Sequence, residues 1–181
     1  MFSSLTRVTI GLLLLIAGTG AAMADHIETA GTDLAVLLPV VAGGIALYKD
    51  DWVGIGQLGV DGVATMGTTE ILKNVVREQR PDKSDYQSFP SDTVALAATG
   101  SSFLWARYGW QYGLPALAVT EFVAYSRVEA KKHHWYDTLA SSGIAASYAF
   151  IFDTRYREPR HFYSSLSASP DSAYLHLTYN F

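Results

Sequence analysis

Between Leu34 and Phe152 the chain is a succession of apolar runs, each about 12 to 16 residues long and ended by charge, proline or glycine. Runs of that length are too long for ordinary strands and short for membrane spans, so they predict packed helices. Leu34 to Tyr48 (LAVLLPVVAGGIALY) reads as a buried helix closed by Lys49-Asp50-Asp51, with Pro39 and Gly43-Gly44 arguing against a span. Trp52 to Val76 reads as an amphipathic helix that spaces Asp61, Thr65, Thr68, Thr69, Glu70 and Lys73 among apolar residues, with Pro81 as its outer limit. Residues 82–90 (DKSDYQSFP) are a proline-bounded loop. Ser91 to Tyr108, Tyr112 to about Val128 and Trp135 to Phe152 complete the set, the last with small residues (LASSGIAASYA) that allow close helix contact. The expected fold is all-α, a bundle of about five to six helices.

The two ends differ from this pattern. Arg7, the apolar run Val8 to Ala17 and the small residues Ala22-Met23-Ala24 have the order of a secretory signal peptide, so residues 1–24 are expected to be a removable leader. Residues 25–160 then form the helical domain. In the tail, 161–181, Ser-Ala-Ser-Pro-Asp-Ser reads as a turn, and Leu175, Leu177, Tyr179 and Phe181 alternate with His176, Thr178 and Asn180. That is a strand pattern, and a short β-hairpin-like tail is expected; one hairpin cannot close a barrel. A soluble or membrane-apposed bundle in the periplasm or cell envelope follows from these features.

Charge limits the partners. The chain has 13 Lys and Arg, of which Arg7 lies in the leader, against 17 Asp and Glu. An acidic domain is not a general nucleic-acid binder, because a phosphate backbone rewards a basic surface. Any phosphate recognition is therefore local. The chain has no cysteine, which removes disulfides and thiolate metal sites.

Three polar clusters interrupt the apolar runs. Lys73 and Arg80 are seven residues apart and share a face if their helix continues to Arg80, where two cations can hold an anion or simply complement the helix dipole. Ser91-Asp92-Thr93 begins a helix; Ser91 is a good N-cap, and first-turn amides bind oxyanions. Arg127 precedes His133 and Asp137, which stand at i and i+4, so on a helix the carboxylate can hold one ring nitrogen and leave the other free to attack or take a proton. His134 as a metal ligand is the rival reading of this stretch, but no second ligand pair at zinc spacing accompanies it, so neither a metal nor a cofactor is expected.

Taken together, Lys73-x6-Arg80-Pro81, Pro90-Ser91 and Ser126-Arg127-x5-His133-x3-Asp137 resemble the three-part signature of the type 2 phosphatidic acid phosphatase superfamily, which includes bacterial acid phosphatases and vanadium haloperoxidases. The resemblance implies a helix bundle and a phosphate cradle of Lys73, Arg80, Ser91 and Arg127. It implies His133 as a nucleophile forming a phosphohistidine, oriented by Asp137, with no metal. The substrate would be a phosphorylated lipid or a small phosphate ester or anhydride. Such chemistry needs positioning and charge neutralisation, which guanidinium groups supply in a fork geometry.

The middle part departs from the pattern. Where the family reads Pro-Ser-Gly-His, this chain has Pro90-Ser91-Asp92-Thr93, so the histidine that protonates the leaving group is missing. Threonine is not an acid at neutral pH. Three expectations follow: a diphosphate substrate whose leaving group needs no proton, Asp92 acting as the acid, or a site that binds phosphate without turnover.

Overall fold

The computed structural model describes residues 4–157, 162–169 and 172–179. Five helices, α1 (Ser4–Tyr48), α2 (Trp52–Val75), α3 (Asp92–Tyr108), α4 (Trp110–Glu129) and α5 (Trp135–Phe152), precede an antiparallel pair, β1 (Phe162–Ser169) and β2 (Ser172–Tyr179). The all-α expectation holds, with α5 where its apolar run predicts it. The strands pair in register with Leu166 opposite Leu175. Pro170 and Asp171 of the expected turn lie outside the described residues.

α1 is longer than its apolar run. The polar stretch before Leu34 is also helical, and in it Thr29 donates to the Asp25 carbonyl (2.9 Å) and Thr32 to that of Glu28 (3.0 Å), each one turn back. The backbone passes through Ala24 without a break, so removal of the leader would shorten α1 rather than release a separate element. Among the described residues one helix, the 25–48 part of α1, is long and apolar enough to cross a membrane.

α3 is the axis of the bundle and touches all four other helices. Its Val94, Ala97, Phe103 and Leu104 meet Ala35, Leu38, Ala42 and Ala46 of α1 and Ala116, Val123 and Ala124 of α4. The α1 stripe recurs every three to four residues, which keeps it on one face, and its alanines let backbones approach. At Gly100 the approach is close: a Cβ there would lie 2.7 Å from the Pro39 nitrogen. Gly109, at φ +97°, makes the sharp turn from α3 into α4, a conformation that costs glycine little.

The end of the bundle that carries the α1–α2 and α3–α4 turns is closed by a buried ion pair. Arg107 at the end of α3 grips Asp51, the N-cap of α2, through both nitrogens (Nε–Oδ2 2.7 Å, Nη2–Oδ1 2.5 Å), and its Nη1 donates to the Thr154 carbonyl (2.5 Å). Tyr108 also donates to Asp51 (2.7 Å).

Near this end Asp61 of α2 is fully buried beside Asp153, which ends α5. Burial pushes Asp61 up to about 6, and burial plus the Asp61 charge pushes Asp153 up to about 8. Among the described residues, none of their four carboxyl oxygens has a partner capable of donating to a carboxylate, so the pair is satisfied by sharing a proton. Both folded-state values lie above the ordinary carboxylate value of about 4, so the pair's stabilising contribution is complete below that pH and lost as pH rises through 6 to 8. Asp61→Asn removes one ionisation and is expected to raise stability at pH 8 by ~2 kcal/mol, with the gain vanishing by about pH 4. Thermal melts of both proteins across that range test this; a wild type that gains on the variant as pH rises would contradict it.

Candidate active site

Two connections at one end of the bundle build the site. Helix α2 stops at Val75, where two β-branched valines meet a polar stretch with nothing apolar to bury, and Val76 takes an extended conformation. Arg80 is therefore not on the helical face with Lys73, contrary to the reading that continued the helix. It lies in the 76–91 loop, where its Nε pairs with Asp85 (2.8 Å). That loop is fastened to the α4–α5 connection by the Asp82 amide on the Lys131 carbonyl (3.0 Å) and by Lys132 on the Asp82 carboxylate (2.9 Å).

Lys73, in the last turn of α2, is buried and reaches the Gln87 carbonyl and Asp92, each at 3.3 Å. Ser91 is the N-cap of α3 and accepts from the Val94 amide (3.4 Å), as its place in the sequence predicts. Asp92 and Thr93 then form the first turn of α3. Partial desolvation raises the Asp92 carboxyl, but the Lys73 ammonium, with help from His133, outweighs it and holds the group below its ordinary value. Thr93 lies with Asp92 in a pocket of about 160 Å³ between α1, α2 and α3, lined also by Thr32, Val36 and Met66.

His133 and Asp137 come together, but not as an i, i+4 pair on one helix. His133 precedes α5, whose N-cap is His134, and Asp137 sits three residues into the capped turn, where its Oδ2 accepts the His134 amide (2.8 Å). The partner of the His133 ring is the Ser88 carbonyl, 2.6 Å from Nδ1, with Asp137 Oδ2 at 3.7 Å. This corrects the expectation that the carboxylate takes the ring hydrogen bond. A carbonyl only accepts, so Nδ1 carries a proton, and the neutral tautomer of that kind has its lone pair on Nε2. Asp137 is tied to the same residue by the Ser88 hydroxyl (2.5 Å). Burial raises its carboxyl, but the His133 ring, the Ser88 hydroxyl and the His134 amide outweigh this and hold it ionised.

Arg127, buried at the end of α4, faces α1: Nη2 lies 3.0 Å from Glu28 and Nη1 donates to Thr32 (3.2 Å). Its Nε has no partner among the described residues. Lys73, Arg80 and Arg127 are thus each matched to a carboxylate, Asp92, Asp85 and Glu28. Sequence reasoning missed Ser88, Glu28, Thr32 and Glu78. Ser88 acts through its backbone carbonyl, which no side-chain pattern signals; Glu28 and Thr32 lie on a helix distant in sequence. Glu78 lies within the first cluster, but its meeting with His134 and Asp137 depends on the fold of the loop.

One end of the helical bundle gathers a capped helix start, three buried or half-buried cations and a histidine whose Nδ1 faces a carbonyl, the residues that the motifs single out. The chain belongs to the PAP2 superfamily, whose pattern matches residues 57–159, more than half of its length. It is also 29% identical over 139 residues to the lipid A 4'-phosphatase of Helicobacter pylori (strain J99 / ATCC 700824), a match covering 71% of this chain and 70% of that protein. No solved structure matches the chain.

Proposed function

We propose that this protein is a cell-envelope phosphatase that hydrolyses a lipid-linked phosphate ester or diphosphate through a phosphohistidine on His133. The observation that carries this reading is the 2.6 Å contact between Nδ1 and the Ser88 carbonyl, because it directs a nucleophilic lone pair from Nε2. Nε2 attacks phosphorus, the bond to the leaving oxygen breaks, and water then cleaves the N–P bond. The ionised Asp137 nearby stabilises the ring as it becomes cationic. Lys73, Arg80, Arg127, Ser91 and the first-turn amides of α3 neutralise the phosphate oxygens, which exchange for the carboxylates now on the cations. The relative acting on lipid A 4'-phosphate supports a lipid phosphate as substrate.

Export through a leader at residues 1–24 suits a lipid of the envelope. Exposed Val36, Leu37, Val40 and Val41 on α1 give the bundle an apolar side to rest against a membrane.

Thr93 sets the preference among leaving groups. With no histidine to protonate an alkoxide, a phosphoanhydride, which releases a stable phosphate anion, is the better substrate. Asp92 is the nearest carboxyl to serve esters as acid; incoming phosphate that draws Lys73 away would raise its proton affinity. Purified protein should release phosphate from a lipid diphosphate at least ~10-fold faster than from the matching monophosphate, a small part of what a general acid contributes. Equal rates, or faster monoester cleavage, would rule out the leaving-group account. Tight phosphate binding without turnover on either lipid would favour a binding protein that has lost its acid.

A further inference from the structure

The geometry points to a divalent-cation site formed by Glu78, His134 and Asp137, suited to a zinc-like ion, whose occupation inhibits the nucleophile beside it. One donor atom from each residue lies within 4.8 Å of the others. His134 Nδ1 is 3.5 Å from Asp137 Oδ2 and 3.8 Å from Glu78 Oε1. Bonds of about 2.0 to 2.1 Å at tetrahedral angles put donor atoms roughly 3.3 to 3.5 Å apart, so modest closure of the Glu78 side chain completes the fit. One imidazole and two carboxylates suit zinc and similar borderline ions and supply two negative charges to match. Asp137 is fully buried and its Oδ1 has no partner among the described residues, whereas Oδ2, the oxygen near His134, accepts from the Ser88 hydroxyl and the His134 amide, and Glu78 Oε1 accepts from the Tyr136 hydroxyl, so an ion enters by displacing hydroxyl donors. His134 and Glu78 are about one-third and one-quarter exposed, which leaves an entry path and an open fourth position.

Consequences for the nucleophile follow from the hydrogen bonds. Asp137 Oδ2 accepts from the Ser88 hydroxyl, and that hydroxyl also lies 3.3 Å from His134 Nδ1. An ion taking both donor atoms displaces the hydroxyl. Ser88 is the residue whose carbonyl fixes the His133 ring, so the disturbance reaches the tautomer and direction of the attacking nitrogen. A cation at this place also withdraws the Asp137 charge from the imidazolium formed on attack.

The inhibitory half of this inference rests on the phosphatase reading; the site itself does not. Chelator-treated full-length protein is titrated with Co²⁺, a zinc substitute with visible absorption bands, and with Zn²⁺ during hydrolysis of a phosphate ester. Expected are one Co²⁺ per chain, affinity weakened about tenfold or more in both Glu78→Gln and His134→Gln, and Zn²⁺ inhibition that chelator reverses and both variants resist. Inhibition of each variant is read against its own zinc-free rate. Failure of Co²⁺ and Zn²⁺ to bind at micromolar concentration, or equal binding by both variants, overturns the site. Binding that leaves turnover unchanged overturns its coupling to His133. The expected Co²⁺ binding in a protein with no activity upholds the site and sinks the phosphatase reading instead.

Discussion

His133→Ala is expected to lower phosphate release by at least ~10³-fold, since it removes the ring on which the proposed phosphohistidine forms. His133 is almost fully buried, and its backbone amide and ring join two loops, through the Arg127 and Ser88 carbonyls. Loss of the ring leaves the Ser88 carbonyl short of a donor, at a cost of about 1 to 3 kcal/mol. That loosens the site without unfolding the bundle, whose core lies along α1, α3 and α4. A chemical readout separates the nucleophile from a structural role: a phosphoryl group that survives alkaline quench and is lost in acid should label the wild type and be absent from the variant. Full activity, or an unchanged label, in His133→Ala would eliminate the phosphohistidine mechanism.

Thr93→His is expected to do the reverse, raising monoester hydrolysis by ~10²- to 10⁴-fold while changing diphosphate hydrolysis little. Thr93 is the second residue of α3, one position past Asp92, and faces a pocket with room for a larger side chain. An imidazole there would share the first turn with the amides proposed to hold the phosphate and could give its proton to the departing oxygen. The pH profile carries the diagnosis. A new acid makes ester hydrolysis fall above the imidazole pKa, ordinarily near 6.5, whereas the wild type has no such limb. A variant that folds and binds phosphate but gains nothing on esters would show that Thr93 is not what limits the reaction.

The helices were legible in the sequence because each buries one apolar stripe between polar or glycine breaks, and that pattern is local. So were Ser91 as a cap and the pairing of β1 with β2. The breaks themselves were harder. Whether α2 continued past Val76 depended on which partners Glu78 and Arg80 find, and these lie off the helix: Glu78 meets Tyr136 and His134, and Arg80 follows Asp85. The site was legible as a set of residues but not as a set of contacts. His133 and Asp137 are four apart, yet the bond that aims the ring comes from Ser88, because the α5 cap claims the carboxylate first. Arg127 meets Glu28 and Thr32 only because α1 and α4 lie side by side, a fact of packing that no spacing encodes.

The helix that opens with Ser91, Asp92 and Thr93 closes with Arg107 locked to Asp51. One helix therefore has the proposed site at its tip and an anchor at its base. If the first turn of α3 holds phosphate as proposed, its placement depends in part on an ion pair at the opposite pole of the molecule. The tip is free to change its side chains, as Thr93 has, because the register of the helix is set elsewhere.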